Sequence, residues 1–386
     1  MSKKKIITRM KKRLKKRIKI IFDFYLRSTL NRFIIKKINY KWKPRAIISS
    51  KDYKAHVYES EIIVIKEEGH SKLKKYKIYN LINGRVDTDN RMSDCFLTSE
   101  NELLSDVTFS YSLNGPATCD NNNIYYRYSK KPKKINGGVF SLLSGGGAQK
   151  NYYHWLFDAL SRLKILKESG YLDLVDYYLL PNYSQAYKVD SFNFLNIDEN
   201  KILNSIDFPH IIADAVIVAE HPNRIPVEKW ISDYLRNIFL GNSLLPIINV
   251  AATPDKIFVS RRKATTRRIT NEDEVEKYLT DKGFKTVFLE DLSFKEQVLL
   301  FNNAGIIISV HGASLANLLF CKRNTEVVEI FPPNSNSDIY KNLANNIPLI
   351  YSSVFAKNNK YDLDKNNLHA DFFVDINCIT KLFGPS

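Results

Sequence analysis

A histidine, an aspartate and an arginine recur one helical turn apart in residues 144–166, SGGGAQKNYYHWLFDALSRLKIL. Asn151, His154, Asp158 and Arg162 stand three or four positions apart, so on a helix they share one face. Tyr152, Trp155, Leu156, Ala159, Leu160 and Leu163 cover most of the remainder. Two readings fit such a row. In one, His154 is bonded to Asp158 inside a satisfied core network and does nothing more. In the other, Asp158 orients and charge-supports His154, which takes a proton from an attacking hydroxyl, with Asp158 itself the second candidate for the base. Gly145-Gly146-Gly147, just ahead, would then let a substrate approach the backbone closely.

A second group of chemical residues falls in the C-terminal half, at the ends of apolar runs. KIFVS ends on Ser260, Arg261 and Arg262, with Arg267 and Arg268 following in the same loop. GIIISV ends on His311-Gly312-Ala313-Ser314, which also opens a helix, and TEVVEI ends on Glu329, Ile330 and Phe331. A helix N-terminus preceded by glycine offers backbone N–H groups to an anion, and neighbouring arginines add bidentate donors suited to a diphosphate. A carboxylate at a third strand end suits ribose hydroxyls. A tight turn, a solvated loop face and a structural cap explain these features one at a time; their common position in one sheet argues for a nucleotide diphosphate site. A base confronting such a site matches an inverting sugar transfer, in which the acceptor hydroxyl loses its proton as a diphosphate departs. No GxGxxG or GxxxxGK[ST] occurs, so neither a dinucleotide cofactor nor P-loop chemistry is indicated. The triplets Asp87-Thr88-Asp89 and Asp362-Leu363-Asp364 are explained by turn chemistry, and no metal site is expected from them.

The elements that would position these groups are legible. Residues 46–143 carry short β-rich runs between Gly, Asn and Asp, and from 151 onward helices and strands alternate. After a linker within 241–255, the alternation becomes strict: KIFVSRR, a helix opened by Asn271 and Glu274, FKTVFLE, a helix opened by Ser293 and Glu296, IIISV, SLANLLF, TEVVEIF, SDIYKNLANN and PLIYSSV. Such repetition predicts a parallel, doubly wound sheet. A last helix is expected in DFFVDINCITKLF.

The charge is concentrated. Residues 1–45 hold 18 of the 58 Lys and Arg and one of the 41 acids, so the net +17 sits there and the remainder is neutral. Ile7, Met10, Leu14, Ile18, Ile21 and Tyr25 form one apolar stripe between those cations, the pattern of an amphipathic helix lying on an anionic membrane surface. Charges interrupt every stretch that could be a signal peptide or a transmembrane span. Nucleic acid is the rival ligand and a solvated tail the plain one, but a regular Ile/Phe stripe is unnecessary for phosphate contacts. The four cysteines are scattered without metal-ligand spacing, which suits a reducing compartment.

NYYHWLFDALSRL, followed a hundred residues on by SRR…RRITNEDEV and LSFKEQVLLFNNAGIIISVHGASLANLLF…VVEIFPP, resembles glycosyltransferase family 61 from about Gly137 to Val354. The resemblance implies a GT-B-like α/β fold of two Rossmann-like domains facing a central cleft, and an inverting transfer from a nucleotide sugar that needs no metal or other cofactor. Matching positions are Asn151, His154, Trp155, Asp158 and Arg162, then Arg261, Arg268, Asn271, Glu272, Gln297, His311, Gly312, Ala313, Asn317 and Glu329. The expected organisation is a membrane-associating arm (1–45), an acceptor-side domain (46–245), a nucleotide-sugar domain (246–356) and a tail with a closing helix (357–386). His154 and Asp158 are the expected catalytic pair. Arg261, Arg262, Arg268, His311, Gly312, Ala313, Asn317 and Glu329 are expected to bind the donor, and Gly146, Gly147, Asn151 and Arg162 to line the acceptor side or cleft. The expected acceptor is a glycan or lipid-linked glycan at the inner face of a bacterial membrane, with residues 3–38 on that surface and no specific nucleic acid. A non-catalytic membrane- or nucleic-acid-associated protein is the alternative.

Overall fold

The computed structural model describes residues 42–49, 60–66, 73–112, 115–116, 119, 122–145, 147–222, 226–241, 253–333, 335–358 and 370–383. Residues 1–41 of the basic arm, Gly146, most of the expected linker and the Asp362–Asp364 triplet lie outside these residues.

The strands form two principal sheets, one of twelve strands and one of five. In the larger, His210–Ala219 runs parallel to Lys133–Ser141, which pairs parallel with Tyr177–Leu180, itself parallel to Ile202–Asn204. On its other side His210–Ala219 pairs antiparallel with Leu73–Ile82 and Arg85–Thr88, and Ser93–Leu97 continues the antiparallel run. The first half is therefore a mixed sheet rather than the Rossmann-like parallel one the resemblance implies. The reason is local: within residues 73–112 the strands are joined by turns, and a parallel pairing needs a long crossover that this segment lacks.

The smaller sheet follows the sequence expectation closely. Its order is Lys285–Val287, Lys256–Val259, Ile306–Val310, Glu326–Phe331, Ile350–Phe355, and every pair is parallel. Counted along the chain this is 2-1-3-4-5, a doubly wound order whose reversal point lies between Lys256–Val259 and Ile306–Val310. Helices Glu272–Asp281, Phe294–Asn303 and Ile339–Asn346 connect successive strands, while Ala313–Phe320 is a 3-10 helix. Ser293 and Glu296 form the expected capping box. Asn271 does not cap: its Nδ2 donates to Val374 O at 2.9 Å and its Oδ1 accepts from Val374 N at 3.0 Å, so it pins the C-terminal segment that leads into the helix Ile376–Phe383.

One buried apolar cluster runs from the larger sheet into the smaller. At its middle, Phe239 packs on Phe294 with ring centroids 4.9 Å apart, Phe194 lies 5.7 Å from Phe239, and Phe320 lies 5.7 Å from Phe294. Polar ties reinforce this seam: Arg236 Nη1 donates to Cys321 O at 2.8 Å and Asn346 Nδ2 to Val227 O at 2.9 Å. No helix among the described residues is long and apolar enough to cross a membrane, and Cys95, Cys321 and Cys378 are free thiols.

Candidate active site

The opening segment is helical but not uniformly α. Asn151 caps it, accepting from Tyr153 N at 3.0 Å, so it serves the helix end rather than the row of polar side chains. After Tyr152–His154 the chain takes π geometry over Trp155–Leu160, then returns to α-helix over Arg162–Glu168. A π segment slips the facing by about one residue, and such segments recur at functional sites. Its effect here is to split the row. His154 Nδ1 still meets Asp158 Oδ2 at 2.6 Å, whereas Arg162 turns inward and is wholly buried. Its guanidinium donates to the carbonyls of Asp158 (2.9 Å), Leu143 (2.8 Å) and Ser141 (3.3 Å). Arg162 is therefore a brace behind the glycine loop, not a cleft residue.

The imidazole of His154 is 31% exposed, while Asp158 is buried. A carboxylate accepts, so Nδ1 carries the proton and the neutral ring presents its Nε2 lone pair. That is the arrangement a general base needs. Asp158 has no comparable access, which favours its reading as the residue that holds His154.

The glycine loop is shaped from behind. Gly145 adopts φ +67°, and a Cβ there would fall 1.4 Å from the Phe109 ring, so both backbone and space demand glycine. Its N–H donates to the buried Asp94, whose carboxyl is pushed above the usual range chiefly by burial. Gly147 opens the short helix Gly147–Lys150. Lys188, fully buried, donates from Nζ to the carbonyls of Gln149 (3.1 Å), Pro181 (2.5 Å) and Asn182 (3.2 Å) and lies 5.4 Å over the Trp155 ring. Burial lowers its pKa to about 7, from an ordinary 10.5. Between these two values the unfolded chain binds the extra proton, so stability is expected to rise as pH goes from about 7 to about 10.5 and to be flat below. Lys188→Met should flatten that rise in urea titrations; an unchanged pH profile would contradict the assignment.

The opposite wall is built at the reversal point of the smaller sheet. Arg261 follows Lys256–Val259, and its guanidinium donates to Thr266 O at 3.0 Å and Arg267 O at 3.2 Å. Its Nη1 lies so close to Gly312 that a Cβ there would sit 2.5 Å from it, with Arg267 Nη2 at 3.8 Å. Arg267 holds a left-handed backbone, φ 57°, costly for a residue with a Cβ, and its buried Nε has no hydrogen-bond partner among the described residues. Burial, together with each other's charge in the case of Arg261, lowers both guanidinium pKa values. Two cations held together around a glycine have the chemistry to cradle an anion.

Tyr340 joins the two walls. Its ring lies 6.1 Å from Tyr153, which touches the His154 ring, and 5.5 Å from His311. Burial raises its pKa far above the ordinary value, Tyr153 and Glu329 add to the rise, and Arg267 and Arg261 oppose it. The helix of His154 and the cradle of Arg261 thus share one neighbourhood.

Several expected donor contacts lie elsewhere. Arg262 pairs with Asp273 (2.7 Å) and Glu276 (2.8 Å) on the exposed side of the helix Glu272–Asp281, because its side chain points away from the sheet end. Arg268 pairs with Asp371 at 2.7 Å, tying down the C-terminal segment. Arg267, one residue earlier, stands in the cradle instead; only the left-handed turn puts it there. Glu329 is fully buried, accepting from His311 Nδ1 and from Tyr351 Oη, so it orients His311 rather than meeting a ribose. Asn317 is likewise buried. Its Oδ1 accepts from Tyr152 Oη at 2.7 Å and its Nδ2 donates to Gln297 Oε1 at 3.0 Å, a bridge between the halves that reaches the His154 turn two residues before the histidine. Gly312 and Ala313 remain at the mouth of the cradle, and His311 beside them completes a second histidine–carboxylate pair. The Asp87-Thr88-Asp89 triplet is structural: Asp87 binds Arg127 at 2.7 Å, and Asp89 caps the amides of Arg91, Met92 and Ser93.

Residues 152–328 match the family model Glycosyltransferase 61. That stretch includes His154, Asp158, Arg261, Arg267 and Gly312, and the match agrees with the resemblance seen in the sequence. The chain is similar to the beta-1,2-xylosyltransferase XAX1 of Oryza sativa subsp. japonica, 27% identical over 52% of this chain and 38% of that protein. It is also similar to the protein O-linked-mannose beta-1,4-N-acetylglucosaminyltransferase 2 of Canis lupus familiaris and of Homo sapiens, 49% and 47% identical over 14% of this chain and 10% of each relative. The matched stretches span well under two thirds of these relatives' own length.

Proposed function

We propose that the protein is an inverting, metal-independent glycosyltransferase of GT-B-like arrangement, moving a sugar from a nucleotide-diphosphate donor to a glycan hydroxyl. The observation that carries this reading is the convergence at Tyr340 of the His154–Asp158 pair and the Arg261–Arg267–Gly312 cradle. His154 Nε2 takes the proton of the acceptor hydroxyl as its oxygen attacks the anomeric carbon; the bond to the diphosphate breaks, and its oxygen departs with the electron pair. Arg261, Arg267 and the amides of Gly312 and Ala313 receive that charge. Two guanidinium groups supply what a divalent cation supplies in metal-dependent transferases. A decayed, non-catalytic site would have lost one wall or the other; both persist.

The same reading places the enzyme at the inner face of a bacterial membrane, in surface polysaccharide synthesis, with residues 3–38 on anionic lipid and a lipid-linked glycan as acceptor. Support comes from the charge distribution alone, since that arm lies outside the described residues. Binding of the full chain, but not of one lacking residues 1–45, to anionic vesicles in preference to duplex DNA would sustain it.

Thermal-shift measurements against a panel of nucleotide sugars, without and with EDTA, test the activity class: one sugar nucleotide should stabilise the protein equally in both conditions. Arg261→Ala should weaken nucleotide binding roughly tenfold or more while sparing acceptor binding. Equal loss of both would contradict the assignment.

A further inference from the structure

From His311, beside the cradle, a row of aromatic rings runs along the sheet. His311 stacks on Phe331 at 5.2 Å with planes 22° apart, and Phe331 stacks on Phe355 at 5.3 Å and 18°. The strands carrying the last two rings are neighbours in register, Phe331 opposite Phe355 and Glu329 opposite Ser353, so the row follows one face of the sheet toward its edge. It ends in a cavity of about 410 Å³ lined by Phe331, Asp338, Lys341, Tyr351, Ser353 and Phe355 among others. Phe355 is 54% exposed although it is the last residue of its strand and its neighbour Ala356 is buried. Nothing in the folding of the sheet requires a large ring in water at that point. An open aromatic plane beside a carboxylate, an ammonium and a hydroxyl is suited to a flat heterocycle that stacks by its face and bonds by its edge.

We propose that this cavity seats the nucleoside of the donor, with Phe355 as the stacking plane and Asp338 accepting from the base edge or ribose. The inference rests on the diphosphate reading of Arg261, Arg267 and Gly312. In doubly wound sheets ligands lie beyond the carboxyl ends of the strands. From phosphates at the reversal point, the ends of Glu326–Phe331 and Ile350–Phe355 come next along the sheet, and there the rings and the cavity are. This placement also frees Glu329, locked between His311 and Tyr351, from any part in holding the ribose.

The test is calorimetric titration of the full chain, wild type and Phe355→Ser, with UDP, GDP, CDP, ADP and inorganic pyrophosphate. Phe355 is exposed, so the variant should fold. At least one nucleoside diphosphate should bind wild type more tightly than pyrophosphate, and Phe355→Ser should weaken that nucleotide about tenfold while leaving pyrophosphate unchanged. Asp338→Asn should act in the same direction. Wild-type affinity for the nucleotide in Phe355→Ser would overturn the nucleoside site while leaving the phosphate cradle standing, as would equal losses for nucleotide and pyrophosphate. Failure of the wild type to bind any of the five would overturn the diphosphate reading itself, and this inference with it.

Discussion

Asp158→Asn is expected to lower the turnover of the proposed sugar transfer by about 10²–10⁴-fold while leaving nucleoside diphosphate affinity at the wild-type level. The substitution keeps size and shape in a buried position, so the fold should survive. It changes the chemistry at one atom. The carboxylate accepts the Nδ1 proton of His154 at 2.6 Å; an amide can turn its NH2 toward Nδ1 and so select the tautomer whose Nε2 is already protonated. It also removes the negative charge that would steady the imidazolium formed during attack. The cradle at Arg261 and Arg267 contacts neither effect directly. Single-turnover kinetics and nucleotide titration on the same preparation decide the matter: simultaneous loss of turnover and nucleotide affinity would sink the division of labour between the two walls.

The second large effect is on stability. Arg162→Met should cost about 3–5 kcal/mol, read as a fall in the urea midpoint, because the buried guanidinium satisfies the carbonyls of Asp158, Leu143 and Ser141 at once. Those oxygens belong to the π segment and to the chain entering the glycine loop, which no water reaches when the arginine is shortened to an apolar side chain. A loss below about 1 kcal/mol would show that other donors take over. A cleft role, the expectation from helical spacing alone, predicts the opposite pattern: activity lost and the midpoint unmoved.

That contrast shows what the sequence could and could not convey. The five parallel strands and their helices were legible because apolar runs, caps and loop lengths all act locally, and Ser293 with Glu296 behaved as the motif requires. The His154–Asp158 pair was legible because a four-residue spacing survives the change from α to π. Arg162 was misplaced because nothing in WLFDAL announces that the helix will slip its facing. Arg267 was passed over for Arg268 because adjacent arginines differ only in a left-handed φ that an arginine rarely adopts. Asn317 and Glu329 were taken for ligands because a polar residue at a strand end or in a helix reads alike whether its partner is a substrate or another side chain; Tyr152, Gln297, His311 and Tyr351 are those partners, distant in the chain. The mixed character of the larger sheet was missed because alternating short strands specify pairing distance, not direction.

The ring cluster of Phe194, Phe239, Phe294 and Phe320 has a consequence for biogenesis. Two of these rings belong to the part of the chain synthesised first and two to the part synthesised last. When Phe239 leaves the ribosome, its nearest neighbour Phe294 has yet to be translated, and the nascent first half carries an oily face with nothing to cover it. That face closes only once the segment through Phe320 emerges, so chaperone occupancy during translation should peak between those two events.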